Sequence, residues 1–341
     1  MLRFLTAGES HGTALITIIE GMVANLPINE SEISSELERR QGGIGRSERM
    51  KLEKDKARIL SGVRGGRTIG SPITIIIDNV DSKDRPEIVT KLRPGHADLA
   101  GVKKYNQSDI RNILERASAR ETASRVAAGA VFKKFLSEFG MTFESKVLSI
   151  GGEKDGGKWD ALVKKTGEQG DSLGGVFEVK ISGVPAGLGS HVHFDRKLDG
   201  RLAQALMSIQ AVKGVEIGLG FTAAGKKGTE VHDEIFYAGK KYFHKTNNAG
   251  GIEGGMSNGE HIIIKAAMKP IATLKTPLNS VDMATKEPCK AHFERADVCA
   301  VHAAGVIGES AAAFAVAEAF LEKFGGDSLE ETKTHFSSFV L

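Results

Sequence analysis

Two stretches of this 341-residue chain are built on one plan. The run ALITIIE is followed by GMVANL and then a helix cap; the run VFEVKIS is followed by GVPAGL and then another capped segment. Both linkers read G-x-x-A-x-L, with Gly21 matching Gly183 and Leu26 matching Leu188. Each half then adds further strands and one long helix. So short a motif fits chance as well as duplication. Duplication would give one domain over residues 1–341, with repeat halves of about 1–140 and 170–325. The expected class is α/β (α+β), a single-domain β-α-β sandwich with internal pseudo-duplication and long helices packed between antiparallel sheets. No Pro/Ser-rich linker divides the halves.

β-Branched runs predict strands at 2–6, 14–19, 73–78, 176–181 and 261–266. Asn29 caps the first helix, with Glu32 three residues on completing a capping box. A second helix is expected over 109–139, with Ile110, Ile113, Leu114 and Ala117 at helical spacing and Gly140 ending it. Asp195 opens a third, striped by Leu198, Leu202, Leu206 and Ile209. A fourth, rich in Ala, runs over 306–324 and stops at Gly325-Gly326.

Lys and Arg number 46 against 43 Asp and Glu, a net charge of +3, and 40% of residues are hydrophobic. That balance excludes a disordered chain. Glycine is the outlier at 41 residues, clustered where backbone could approach a ligand closely. Cys289 and Cys299 are too few for a disulfide framework or a four-ligand zinc site. Met1 leads into LRFLTAG with no secretory pattern, and ITIIID and HIIIKAAM fall far short of a bilayer span of roughly 20 residues. The expectation is a cytoplasmic protein with no membrane partner.

Several motifs could carry chemistry. TAGESHG places His11 just after a strand, and imidazole is suited to proton transfer near neutral pH. RRQGGIGRSERM gathers Arg39, Arg40, Arg46 and Arg49 around a glycine turn, where guanidinium forks can converge on phosphate or carboxylate. SGVRGGRTIGSP adds Arg64 and Arg67 in a similar setting. These loops lack aromatic residues, which disfavours single-strand nucleic acid and favours a small polyanion. RPGHAD presents His96 between Arg93 and Asp98. ERASARETASR sets Arg116, Ser118, Arg120 and Arg125 among small residues, as a flat ligand would require or as a surface helix with charge pairs would show. TNNAGGIEGGMSNGE is glycine-rich without being a P-loop. In ERADVCAVHAAG, Arg295 and Asp297 precede the fourth helix, where an Asp commonly caps.

In this order, these segments, with GVPAGLGS, RKLDGRLAQA, KGVEIGLGF and MKPIATL, resemble the chorismate synthase family over nearly the whole chain. The resemblance implies an anti-1,4-elimination of phosphate from 5-enolpyruvylshikimate 3-phosphate, giving chorismate and requiring reduced FMN. It implies that His11 protonates the departing phosphate and that His96 acts on the reduced flavin. Asp297 matches the aspartate that assists proton removal at C6 through flavin N5. Arg40 and Arg46 match the anion-binding arginines, joined by Arg49; the same positions bind NADPH in relatives that reduce their own flavin. Flavin contacts fall on Arg116, Ala117, Ser118, Gln210, Ala211, Gly254, Lys269, Pro270, Ile271, Ala272, Thr273 and Arg295. The family is typically tetrameric, and no metal is implied.

The chain departs from the family pattern at Ala296 and Val298, where Ser and Pro are usual, and at Gln210, where Asn is usual. The segment after Asp78 is short. With no dinucleotide fingerprint, the chain is expected to be monofunctional, with NADPH acting only as an indirect reductant. Two other classes compete: a basic RNA-binding module, disfavoured by 6% aromatics, and an ordinary FMN oxidoreductase, in which the flavin exchanges electrons with substrate at each turnover.

Overall fold

The computed structural model describes residues 1–46, 54–82 and 85–340. The first half supplies β1 (Arg3–Ala7), β2 (Ala14–Glu20), α1 (Glu30–Gln41), β3 (Ala57–Ser61) and β4 (Ile73–Asp78). Helices α2 (Asp98–Tyr105), α3 (Arg111–Ala117) and α4 (Thr122–Ser137) follow. The second half holds β5 (Thr142–Ile150), α5 (Trp159–Glu168), β6 (Gly175–Ser182), α6 (Leu198–Met207), β7 (Val212–Ile217) and β8 (Ile262–Met268). The long α7 (Val301–Phe324) and α8 (Leu329–Val340) complete it.

Strands pair in the order β1-β2-β4-β3 in one sheet and β5-β6-β8-β7 in the other, antiparallel throughout. The order is the same in both halves, with a helix between the second and third strands and a long helix after the fourth. Alternation drives it: Leu15, Thr17 and Ile19 of β2 and Ile73, Ile75 and Ile77 of β4 point inward and are buried. They pack on α4, and α4 lies against α7, which covers β5 and β6 of the second sheet. One continuous hydrophobic core joins both sheets and the helices between them.

The two halves share atomic detail. Gly21 and Gly183 adopt φ of 84° and 77°, and a Cβ on either would lie 2.3 Å from a carbonyl oxygen, Met1 O or Gly140 O. Only glycine suits such a turn. Leu26 N donates to Thr68 Oγ1 at 2.9 Å and Leu188 N to Ser257 Oγ at 2.8 Å. Each hydroxyl in turn donates at 2.6 Å, to Val23 O or Pro185 O. A further echo stands ahead of the long helices: Glu115-Arg116-Ala117-Ser118 before α4, and Glu294-Arg295-Ala296-Asp297 before α7.

Asn29 caps α1 with the expected box, its Oδ1 accepting from Glu32 N at 3.0 Å. Other expectations need correcting. The helix expected over 109–139 is broken at Ser118, which is extended (φ −61°, ψ 143°) with its Oγ accepting from Arg120 N. Arg120 is drawn aside there by Asp55, at 2.7 Å. Asp195 does not open α6; it sits in a short turn and pairs with His193, and α6 starts at Leu198. Helix α7 starts at Val301 rather than at 306, so Asp297 is not its cap; Ala300 holds that place. Within the 24-residue α7 an 18-residue stretch has mean hydropathy 1.5, long and apolar enough by length and composition to cross a membrane, but 78% of that stretch is buried inside the fold. Strands β3, β5 and β7 and helices α2, α5 and α8 lie outside the expected elements.

Candidate active site

Register fixes where the loops gather. Ala7, Ala14, Asp78 and Ala57 mark one end of the first sheet, and Ile150, Gly175, Met268 and Val212 one end of the second. The TAGESHG turn, the segments leading into α4 and α7, and the Gln210-Ala211 and Lys269–Thr273 segments all leave from these ends. Two long-helix N-termini therefore face the same region, a setting that favours anions.

His11 is held by Glu115. The ring Nδ1 lies 2.9 Å from Oε1, and the His11 amide donates to Oε2 at 2.8 Å. Burial pushes the Glu115 carboxyl up, but hydrogen bonds from His11 and its charge outweigh that, and the net direction is down. Ser118 Oγ donates to Ser10 Oγ at 3.3 Å, tying the same turn to the helix break. Asn79 Nδ2 donates to Glu9 O and Gly12 O and closes the loop from below.

His96 has a carboxylate of its own. Its Nδ1 is 2.5 Å from Asp98 Oδ1, and Arg93 grips the same carboxylate through Nε at 2.9 Å and Nη2 at 3.0 Å. Asp98 is fully buried. Burial alone would raise its pKa, yet the bonds from His96 and Arg93 hold it well below the usual carboxylate range.

The arginines of the glycine turn separate. Arg39 turns away to Glu309, at 2.7 Å, and Glu36. Arg40 is buried, donating to Thr122 Oγ1 at 2.9 Å and Ala119 O at 3.2 Å, with Asp55 at 3.5 Å. Burial pushes its pKa down to about 10, against the pull of Asp55 and with repulsion from Arg120 and Arg46. It stays a cation near neutrality. Arg46 reaches Asp297, Nη1 to Oδ2 at 2.5 Å. Gly45 makes that possible: a Cβ there would lie 2.9 Å from Cys299 N, and its carbonyl accepts from Val298 N at 2.9 Å. Arg49 lies outside the described residues. Arg64 and Arg67 form a hairpin at the opposite end of the sheet, where Arg67 bonds Asn25 O. They do not join this cluster.

The positions matched to the flavin mostly converge. Arg116 donates to Thr6 O and Gly8 O, and Gln210 donates to Glu121 Oε2 at 3.1 Å. Thr273 accepts from Arg93 Nη1 at 3.1 Å, and Lys269 Nζ donates to Gly95 O beside His96. Ile271 O accepts from Ser172, with Pro270 beside it, and Ala272 lies against Gly95. Arg295 is exposed, ahead of Asp297. Ala117 ends α3 at the break. Gly254 stands apart: its hairpin meets Leu198 at the start of α6, whereas Gln210 follows the end of that helix, about 15 Å along.

Two features suit a polar, flat-ringed group. Among the described residues, Gln210 Oε1 is buried without a hydrogen-bond partner, an unmet need that a ligand donor satisfies. Ala211 is held at φ 68°, a conformation non-glycine residues adopt at a cost and often at functional sites. These residues fit the reduced flavin that the resemblance implies.

Comparison with known proteins decides the family. The family model described as chorismate synthase matches residues 2–321. A chorismate synthase of Thermoanaerobacter pseudethanolicus is 57% identical over 346 residues, covering 100% of this chain and 99% of the relative. The chain belongs to the chorismate synthase family. That of Aquifex aeolicus is 53% identical, covering 99% and 97%. A solved structure titled as the crystal structure of chorismate synthase superposes with a TM-score of 0.83 at 46% identity, covering 99% of this chain and 97% of that one. Family members are enzymes of the shikimate pathway of aromatic biosynthesis.

Sequence reasoning missed the carboxylate partners. The sequence motifs give no role to Glu115, Glu121 or Glu294, which lie inside ERASARETASR and ERADVCAVHAAG. The signal that could have found two of them is the Glu-Arg-Ala repeat ahead of both long helices. Arg111 Nη1 lies 3.4 Å from Glu115 and 3.5 Å from Glu294, so the two repeats meet.

Proposed function

We propose that this chain is a lyase that converts 5-enolpyruvylshikimate 3-phosphate to chorismate and phosphate by anti-1,4-elimination, with reduced FMN bound. The observation that carries the reading is the convergence, at one end of both sheets, of two imidazole–carboxylate pairs and the Arg46–Asp297 pair. The substrate bears one phosphate and two carboxylates; Arg46, with Arg49, answers them by charge-assisted bonds, while Arg40, buried against Thr122 and Asp55, adds positive charge from behind. His11 delivers a proton to the departing phosphate oxygen, so that the leaving group departs less charged. His96, locked by Asp98 and Arg93, serves proton exchange on the flavin side. Asp297 is the carboxylate that handles the C6 proton, and Arg46 fixes its orientation.

The flavin lies, in this reading, against Arg116, Ala117, Ser118, Gln210, Ala211, Lys269–Thr273 and Arg295, with Gly254 from its separate hairpin. When bound and reduced, FMN supplies transient electron density to a reaction that is redox-neutral overall. NADPH enters only as an indirect reductant. The same reading makes the enzyme cytoplasmic and a homotetramer. Apolar surface for assembly exists on the outer face of the first sheet, where Leu5 and Ile18 pair across strands and are 68% and 40% exposed.

The test is a binding titration of FMN followed by its fluorescence, with and without substrate. Quenching that saturates, and tightens when substrate is present, supports the reading. FMN that does not bind in either condition overturns it.

A further inference from the structure

We infer that Glu115 is a positioning residue for His11, the group that makes this histidine an oriented proton donor; the inference rests on the reading of His11 given above. One carboxylate controls the whole of residue 11. Both its oxygens lie 2.9 Å from the ring Nδ1, and Oε2 also accepts from the His11 backbone amide at 2.8 Å. The Glu115 main-chain oxygen accepts from Ser10 N at 3.1 Å, so the turn itself is registered on the last turn of α3. With Nδ1 engaged by a carboxylate, proton transfer is assigned to Nε2 on the far edge of the ring, and the imidazolium has a counter-charge beside it. The pair is enclosed, with side-chain exposures of 8% and 12%. A buried imidazolium without such a partner would be strongly disfavoured.

The support behind Glu115 comes from both halves of the molecule. Arg111, one helical turn earlier, reaches Glu115 at 3.4 Å and Glu294 at 3.5 Å. Glu294 occupies the matching place in the second Glu-Arg-Ala segment and faces His292 at 3.4 Å. The duplicated segments thus deliver two carboxylates to one guanidinium, and of the two Glu115 is the one that grips the TAGESHG turn. A carboxylate braced on one side by Arg111 Nη1 holds the ring on the other in a single orientation.

The test is a double-variant cycle on the intact enzyme, measured anaerobically with chemically reduced FMN and 5-enolpyruvylshikimate 3-phosphate. E115Q should lower kcat by roughly 30–100-fold with KM and FMN affinity within about twofold of the parent. Adding E115Q to H11A should cause no further loss, because Glu115 acts only through the ring. E115D, which keeps the charge, should retain more turnover than E115Q; it also serves if E115Q does not fold. A kcat within twofold in E115Q, equal losses in E115D and E115Q, or losses that multiply in the double variant would overturn the assignment of Glu115. Parent-like turnover in H11A would instead remove His11 from the chemistry and Glu115's role with it.

Discussion

Arg46 and Asp297, 251 residues apart in the chain, meet with Nη1 2.5 Å from Oδ2. The contact joins the glycine turn after α1 to the segment ahead of α7, one element from each half. It sets a guanidinium fork beside a carboxylate in a region rich in other cations. Arg46→Lys keeps the charge and loses the planar fork. Substrate KM should rise by about tenfold or more, while FMN affinity without substrate changes little. An unmoved KM would show that the turn is not an anion clamp.

The two histidines are each paired through Nδ1, with Glu115 and with Asp98. His11→Ala and His96→Ala should each lower turnover by roughly 10²–10⁴, the usual worth of a general acid or base. FMN should still bind both variants. Steady-state kinetics with reduced flavin read this directly, and parent-like turnover in either variant removes that histidine.

The duplicated hydroxyls give a test of stability. Thr68 and Ser257 each satisfy a buried leucine amide in equivalent linkers. Thr68→Val and Ser257→Ala should each cost roughly 1–3 kcal/mol, because each leaves a buried donor unmet. Denaturant unfolding should show losses of similar size, and a clear loss in only one half would break the equivalence.

Acid should weaken the site region in a defined sense. Burial raises the pKa of Asp98 and Glu294. Partners outweigh it: His96 and Arg93 hold Asp98 far down, and His292 and Arg93 hold Glu294 at about 2. Carboxyls depressed by folding stabilise above their unfolded values near 4, and that contribution is lost as pH falls toward the folded values. The melting temperature should therefore drop between about pH 5 and pH 2. Asp98→Asn, which strips Arg93 of its buried partner, should cost roughly 3 kcal/mol and flatten that drop. An unchanged acid profile in D98N would deny Asp98 this role.

How far the chain could be read depended on which interactions decide each part. Strand 73–78 is marked by ITIIID because its inward isoleucines form an apolar run that needs no partner to be recognised. The Asn29 box is likewise local, and α1 begins where it says. In β5, TFESKVLSI carries polar residues on its outward face, and its strand pairing comes from β6, far along the chain. The break at Ser118 lies between residues that favour helix; Ser118 Oγ caps the turn that follows, and Arg120 is held there by Asp55, 65 residues away. The site divides the same way. Histidines and arginines between glycines stand out as motifs. Glu115 on a helix resembles any solvated carboxylate until the fold brings the TAGESHG turn against it.

The central claim is a redox-neutral elimination with reduced FMN, and anaerobic turnover tests it most directly. Purified protein, chemically reduced FMN and 5-enolpyruvylshikimate 3-phosphate are mixed, and chorismate, phosphate and flavin oxidation state are followed together. The account predicts chorismate and phosphate in equal amounts, flavin still reduced at the end, and no chorismate when NADPH is the sole reductant. Flavin oxidised in step with substrate loss, or no chorismate with reduced FMN, would contradict it.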